Sequence, residues 1–358
     1  MRLLTVLFVT LLSPPTLAGL LHVHVGLKLK KRYVDDLYFV RSDYQSSETY
    51  FRSTDYDRTI NSAYSLLAAF YKDSKCTFPA NNPNWPKGYS PVPVHTVPKD
   101  IDHMLSIYSN CPKRDQLERA RESNPEFQDF MAKQKDLLDY LTHKSGMEIQ
   151  DYSYLHRFLD IVTIEKHRNM TLAPWITDDI VERLNRIMLV ADDYLYGAAG
   201  FGKLADLEHL RINGGALLND IIAKINATIF GLPQPRLLGY STVVSFSFKS
   251  PLILMFQHDT IINGLLRIFG AKNTVTGGKR TIDYAAMFAL ELWEFNEKYY
   301  ISFQVSANKN SSFRSFTKAI RGCPRSRFCP LEGFLEHVKS FAVEDIEKEC
   351  HSIVKDEF

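Results

Sequence analysis

The stretch YFRSTDYDRTINSAYSLLAAF, residues 50–70, carries the signals of a strand and of a helix within one short segment. Tyr50 and Phe51 are residue types that strands favour. Asp55 or Asp57 could cap the helix that follows. Apolar residues then recur at the spacing of a buried helix face, at Ile60, Ala63, Leu66, Leu67 and Phe70. This pattern predicts a strand that runs directly into an amphipathic helix.

Further strands are predicted on both sides of this unit. Residues 20–25 alternate as a strand would, and helical spacing begins after Gly26. Residues 243–248 and 252–256 are typical of buried strands, and residues 289–308 are typical of a hairpin. Strands that alternate with helices in this way predict an α/β fold.

A long stretch without strand signals interrupts the α/β pattern. Residues 100–198 contain almost no alternating β-branched residues and indicate several helices. We therefore expect a helical cap domain at residues 111–204, inserted into an α/β domain that comprises residues 19–110 and 205–358.

The N-terminus has the order of features that is typical of a secretory leader. Arg2 precedes an apolar run at residues 3–12, and small residues suited to cleavage follow at residues 16–18. The run is too short to span a bilayer of about 30 Å, and no later segment is long enough. We expect residues 1–18 to be a signal peptide, no membrane span, and a mature protein that is secreted or held in an endomembrane lumen such as the lysosome.

Three glycosylation sequons agree with that compartment, at Asn169, Asn226 and Asn310. The chain ends in KDEF, residues 355–358, which differs in its last residue from the KDEL retrieval signal. A chance match is the favoured interpretation of this tail, and retrieval to the endoplasmic reticulum is the alternative.

The cysteines also bear on the compartment. An oxidising lumen favours disulfides over metal ligation. Cys323 and Cys329 could close a small loop, Cys111 could pair with Cys350, and Cys76 is the candidate free thiol. Because no CxxC pair occurs, we expect no structural zinc site.

Charge excludes one class of partner. The formal net charge is +2, with 23% charged residues of both signs interspersed along the chain. Nucleic-acid binding requires a concentrated basic surface, so we expect no nucleic-acid partner.

Two positions at predicted strand ends are candidates for chemistry. Arg52 ends a strand just before a helix, where a guanidinium and helix-start amides together suit a phosphate. The alternative is a structural ion pair with Asp55 or Asp57. His258 and Asp259 follow the predicted strand at residues 252–256, where His258 could donate to an anionic oxygen and Asp259 could protonate a leaving group. The alternative there is a helix cap beside a satisfied histidine.

Several motifs in the same order resemble one family, the animal histidine acid phosphatases of the prostatic and lysosomal type. The likeness runs from about residue 26 to residue 350. The motifs are RSTDYDRT at residues 52–59, PVPVHTVP at 91–98, NCP at 110–112, HDT at 258–260 and GCPRSRFCPLEGF at 322–334.

The resemblance implies a fold and an activity. Members of this family hydrolyse phosphate monoesters at acidic pH without a metal or other cofactor, through a phosphohistidine. Their fold is a phosphoglycerate-mutase-like sheet flanked by helices, with an inserted all-helical cap. Many are homodimers, so a second copy of the chain is a candidate partner. A phytase-like activity is a further alternative, but the cap and the RSTD motif favour the acid phosphatases.

The resemblance also implies roles for individual residues. Arg52 corresponds to a phosphate-binding arginine, His258 to a second phosphate-binding histidine, and Asp259 to the proton donor for the leaving alcohol. Cys111 with Cys350, and Cys323 with Cys329, correspond to two of the family's disulfides.

One family element is missing from the chain. In the family a strand like residues 20–25 leads into an Arg-His-Gly-x-Arg loop, whose histidine is the nucleophile and whose arginines bind phosphate. No Arg-His-Gly occurs anywhere in this sequence. We therefore expect a break in the family pattern between Val25 and Gly26, from a splice form, skipped coding sequence or a true noncatalytic relative. The chain is expected to bind phosphate monoesters or inorganic phosphate and to be inactive or very weak in turnover.

Overall fold

The computed structural model describes residues 3–10, 15–75, 82–106, 108–242, 259–280, 282, 286–308 and 310–352 of the 358-residue chain. Within these ranges, the side chains of residues 3–10, 15–22, 242, 259 and 260 are not described. In chain order the strands are β1 Leu3–Thr10, β2 Thr49–Ser53, β3 Val94–His95, β4 Leu237–Thr242, β5 Met287–Phe295, β6 Lys298–Ser306, β7 Arg314–Ser315 and β8 Cys329–Pro330.

The helices lie mainly between β3 and β4 and around the sheet. They are α1 Pro15–Lys30, α2 Asp57–Phe70, α3 Pro112–Glu122, α4 Pro125–Ala132, α5 Lys135–Ser145, α6 Tyr152–His167, α7 Asp178–Leu195, α8 Leu207–Ile229, α9 Asp259–Ile268, α10 Lys272–Thr276, α11 Leu331–Val338 and α12 Ile346–Cys350. A π-helical turn, Lys31–Asp36, extends α1. Within the described ranges, no helix is both long enough and apolar enough to cross a bilayer.

A mixed sheet with the order β3-β2-β4-β1-β5-β6-β7 organises the fold, and β8 pairs with β6. β1 is parallel to β4, with Thr5 opposite Leu237, and antiparallel to β5, with Val6 opposite Leu290. It therefore joins the two halves of the sheet. The residues that the sequence predicts as a leader occupy the central strand of this structure.

The predicted strand at residues 20–25 is wrong, because these residues lie inside α1. Val25, Leu29 and Tyr33 are fully buried at helical spacing. Gly26 packs against α2 so closely that a Cβ there would lie 2.2 Å from the carbonyl oxygen of Leu66. Tight packing against a neighbouring helix therefore determines the structure of this segment, and it outweighs the short strand-like alternation in the sequence. Gly26 is a helix contact and not a junction between a strand and a helix.

The strand and helix predicted at residues 50–70 are confirmed as β2 and α2. The predicted face is buried at Ala63, Leu66, Leu67 and Phe70. The predicted aspartate cap is wrong, since the N-cap residue is Tyr56 and it makes no side-chain cap. The Thr59 hydroxyl instead donates to the carbonyl oxygens of Thr54 and Tyr56 and fixes this turn.

The predicted hairpin is also confirmed, as β5 and β6 paired in antiparallel register. Its turn residues Asn296 and Glu297 have φ values of 50° and 61°. Two consecutive positive φ angles match the twist of the adjoining strands. The strands predicted at 243–248 and 252–256 lie outside the described residues.

Helices α4 to α7 share a hydrophobic core of their own, separate from the two cores that flank the sheet. It includes Phe127, Leu141, Leu159, Leu184 and Met188. A disulfide joins Cys111, at the start of α3, to Cys350 in α12, and a second joins Cys323 to Cys329. Both pairings that the resemblance implies are therefore present in the structure.

Candidate functional site

The carboxyl ends of β2 and β4 meet beside the start of α2. Ser53 is opposite Ser241 in the parallel register. The backbone N–H of Thr54 donates to the Ser241 carbonyl at 3.0 Å, and the Ser241 hydroxyl donates to the Thr59 carbonyl at 3.3 Å. Because β1 is parallel to β4, its carboxyl end lies on the same edge of the sheet. This is the edge at which α/β folds bind ligands.

Arg52 lies at this edge, as the sequence predicts, but in an ion pair that the sequence does not indicate. Its Nη2 donates to Oδ1 of Asp102 at 2.5 Å, and the Asp102 side chain is fully buried. Asp55 and Asp57, the partners considered from sequence, are both exposed. Burial raises the pKa of Asp102, and the Arg52 guanidinium opposes this rise. One carboxylate therefore already compensates the charge of Arg52.

A second arginine at the same edge, Arg58 in the first turn of α2, has no such partner. Its Nε and Nη2 atoms are buried and make no hydrogen bond within the described part of the chain. Its Cζ lies 4.6 Å from the ring centroid of Tyr56. Desolvation lowers the pKa of Arg58 to about 10, so the group is still a cation at neutral and acidic pH. Arg58 belongs to the RSTDYDRT motif, but its place in the sequence does not mark it as a site residue.

Aromatic and polar groups lie near Arg58 at this edge. The Tyr108 ring meets the Tyr56 ring edge-on at 6.4 Å, and Lys99 Nζ lies 5.7 Å from the Tyr56 ring centroid. The Thr54 side chain is fully buried, and its Oγ1 makes no hydrogen bond within the described residues. The edge thus presents cations and a free hydroxyl, a set of donors suited to an oxyanion.

The other predicted site residues lie beyond what can be described in atomic detail. His258 lies outside the described residues. Asp259 is the first residue of α9, but its side chain is not described. Their roles in binding and proton transfer stay predictions. Among the described side chains, no three of the types His, Cys, Asp and Glu converge as metal ligands.

The three sequon asparagines are all exposed. Asn169 follows α6 with φ of 54°, and Asn226 lies within the last turn of α8. Asn310 follows β6. Their glycosylation stays a prediction.

Comparison with known proteins places the chain in a family. Residues 13–308 match the model of the histidine phosphatase superfamily, branch 2. The chain belongs to this family. It is 28% identical to bovine prostatic acid phosphatase over 331 residues, which cover 92% of this chain and 76% of the relative. It is likewise 28% identical to human lysosomal acid phosphatase over 335 residues, which cover 92% of this chain and 70% of the relative.

Solved structures agree on the fold. The phytase from Citrobacter braakii superposes with a TM-score of 0.60 at 11% identity, covering 99% of this chain and all of the phytase. The Hafnia alvei phytase superposes with a TM-score of 0.62 at 13% identity, covering 98% of each chain. The chain is therefore a histidine acid phosphatase family member with the α/β fold that the sequence predicts.

Proposed function

We propose that this chain binds phosphate monoesters or inorganic phosphate at the carboxyl edge of the sheet, and turns esters over very weakly or not at all. Family membership and the cationic groups at this edge support binding. The expectation of weak or absent turnover rests on the sequence between β1 and α1. Residues 11–14 are LLSP and contain no histidine or arginine. In the family, by the resemblance above, the nucleophilic histidine follows the strand that precedes this helix.

The expected loss of activity is large for a physical reason. Removing a covalent nucleophile costs on the order of a millionfold in turnover. The arginines of the same missing loop would otherwise neutralise the developing charge of the phosphoryl group. Arg52 with its neighbours can hold an anion, but the loop that carries the nucleophilic histidine in the family has no counterpart in this sequence. A noncatalytic phosphate-binding or interaction protein on the same scaffold is the alternative reading.

Turnover of p-nitrophenyl phosphate at acidic pH tests this proposal. We expect a rate at least about a thousandfold below that of bovine prostatic acid phosphatase assayed in parallel. A rate within about tenfold of that control, lost in His258→Ala, would overturn the proposal. Trapping of a phosphohistidine on this chain during the reaction would overturn it too.

We further propose that the protein is secreted or luminal. The exposed sequons, the two disulfides and the lysosomal relatives support this compartment. Expression in secreting cells, followed by glycosidase digestion and N-terminal sequencing, tests it. Export with a sugar-dependent mobility shift is the expected result. An N-terminus at Gly19 would show that the leader is removed, whereas an N-terminus at Met1 or Arg2 would show that the residues of β1 are retained.

Two smaller proposals concern assembly and retrieval. A homodimer, as in many family members, is tested by light scattering of the purified protein. The KDEF tail is tested by deleting residues 355–358 and comparing secretion. Unchanged export after the deletion would end the retrieval interpretation.

A further inference from the structure

One stretch of the chain concentrates positive charge. Residues 298–331 contain seven lysines and arginines and no aspartate or glutamate. The whole chain has 43 basic and 41 acidic residues, so the residues outside this stretch are acidic on balance. The stretch begins with β6 and ends just after β8. Its charge is therefore a property of one border of the sheet and not of the whole surface.

The fold lays this stretch along one side of β6. β5 pairs with β6 along its whole length, so β7 and β8 occupy the other side. Arg314 of β7 is opposite Val305, and Pro330 of β8 is opposite Tyr300. The chain from Arg314 to Pro330 thus runs back beside β6, over a length of about 17 Å at the rise of an antiparallel strand.

The cations of this border are all exposed, and none has a carboxylate partner in the part of the chain that the structure describes. We call them the β6 basic strip, and they are Lys298, Arg314, Lys318, Arg321, Arg325 and Arg327. Exposed arginines elsewhere differ in this respect. On α7, Arg183 pairs with Asp136 and Arg186 pairs with Glu182.

The middle of the strip is held in place before any partner binds. The Cys323–Cys329 disulfide closes the loop that carries Arg325 and Arg327. Cys329 is fully buried, and the guanidinium carbon of Arg327 lies 5.6 Å from the ring centroid of Phe328. Phe328 in turn packs against aromatic side chains of β5. A loop that is already ordered loses less entropy when it binds a ligand.

The chemistry of the strip favours a sulfated polysaccharide over a membrane. Among the described residues of 298–331, no large hydrophobic side chain is exposed. Surfaces that lie on a bilayer insert apolar side chains in addition to their basic ones. Guanidinium groups bind oxyanions with two parallel hydrogen bonds, and an elongated row of them suits a linear polyanion. Sulfate groups also stay ionised at acidic pH, which fits the proposed luminal or extracellular compartment.

We propose that the β6 basic strip binds a sulfated polysaccharide, whose sulfate oxygens accept hydrogen bonds from its guanidinium and ammonium groups. This surface is separate from the phosphate site, because β4, β1 and β5 lie between β2 and β6 in the sheet. The inference goes beyond the proposed function and does not depend on it.

Titration with a heparin oligosaccharide at mildly acidic pH and low salt tests the proposal. The protein is first treated with a glycosidase, because the sequon Asn310 lies just before Arg314 in the chain. We expect the double variant Arg325→Gln, Arg327→Gln to bind about tenfold more weakly or worse. Its affinity should also depend less steeply on salt than that of the wild type. Its melting temperature should stay within about 2 °C of the wild type, since both side chains are exposed and unpaired.

The matched control removes the same charge from another surface. The double variant Arg183→Gln, Arg186→Gln on α7 should bind heparin within about twofold of the wild type. Chemically desulfated heparin should bind the wild type at least about tenfold more weakly than heparin does.

Four results would each overturn the proposal. They are a wild type that does not bind heparin, equal losses in the two double variants, equal affinity for desulfated heparin, and tighter binding to phosphatidylserine vesicles or to an oligonucleotide than to heparin. None of them bears on phosphate binding at the carboxyl edge, which is measured separately.

Discussion

Two groups of buried charge in this molecule are built in opposite ways. At the contact of α7 with α9 and α10, Asp193 accepts from Arg267 at 2.8 Å and from Lys272. Beside it, Asp192 accepts from the Tyr152 hydroxyl at 2.6 Å and pairs with Arg280 at 3.4 Å. Each of these cations has a carboxylate partner.

The carboxyl edge of β2 has the opposite arrangement. Nε and Nη2 of Arg58 have no acceptor within the described residues, and the Thr54 hydroxyl at the same edge is unpaired as well. A buried charge is tolerated when it is paired, and an unpaired one lowers stability unless a ligand compensates it. In the helical cluster each cation shares a carboxylate, whereas Nε and Nη2 of Arg58 at the strand edge have no acceptor within the described residues.

Removing the shared carboxylate of the cluster should have the largest effect. Asp193→Asn leaves Arg267 and Lys272, both nearly buried, without their common partner. We expect a loss of about 3 kcal/mol in the free energy of unfolding, measured by urea denaturation. Asp139→Asn removes an exposed partner of Lys135 and should cost less than about 0.5 kcal/mol. An equal, small effect for both variants would show that the cluster is not structural.

Breaking the Arg52 ion pair should have the next largest effect. Arg52→Gln leaves the fully buried Asp102 carboxylate without its cation. We expect a loss of about 2 kcal/mol, less than for Asp193→Asn because Arg52 is partly exposed. The double variant Arg52→Gln, Asp102→Asn should recover part of that loss in the same denaturation measurement. A stability unchanged from the wild type would contradict the structural role of Arg52.

The pH dependence of stability should change when Asp192 is neutralised. Burial raises the pKa of Asp192 above its ordinary value, although Arg280 opposes the rise. The folded state therefore binds this proton more tightly, so the contribution is present at low pH and is lost as pH rises through the raised pKa. We expect the melting temperature of the wild type to fall as pH rises from about 4 to about 7. The melting temperature of Asp192→Asn should fall less over the same range. Parallel profiles for the two proteins would contradict the assignment.

The smallest effect on stability is expected at the unpaired cation. Arg58→Met keeps much of the side-chain volume and removes a charge that makes no hydrogen bond in the described structure. We expect a change within about 1 kcal/mol, neutral or stabilising, in the denaturation that tests Asp193→Asn. A loss as large as that of Asp193→Asn would mean that Arg58 is a structural residue, and the contrast between the two regions would disappear.

The local unit at residues 50–70 could be predicted because its signal is local. The apolar positions of α2 repeat over about three turns on one face, and this repetition specifies a helix independently of distant contacts. The alternation at residues 20–25 is short and fits a buried helix equally well. Its assignment depends on the approach of Gly26 to the backbone of α2, which no local pattern reports.

The candidate site, too, could be predicted from the sequence only in part. Arg52 is found from its position before a helix, but its partner Asp102 lies in a loop that the fold brings near. Arg58 stands in the same motif and gives no signal in the sequence. What distinguishes it is the lack of an acceptor, and that is a property of the folded surroundings.

The sequence by itself determined the family, the α/β class, the cysteine pairs that the resemblance implies, and the lack of an Arg-His-Gly motif. These follow from residue identity and short-range spacing, which any reader of the chain can see. Only the tertiary structure decided that residues 3–10 form the central strand, that Gly26 is a helix contact, and which arginine at the sheet edge is left uncompensated. Those outcomes depend on contacts between residues far apart in the chain, because charge compensation and close packing are properties of neighbours in space.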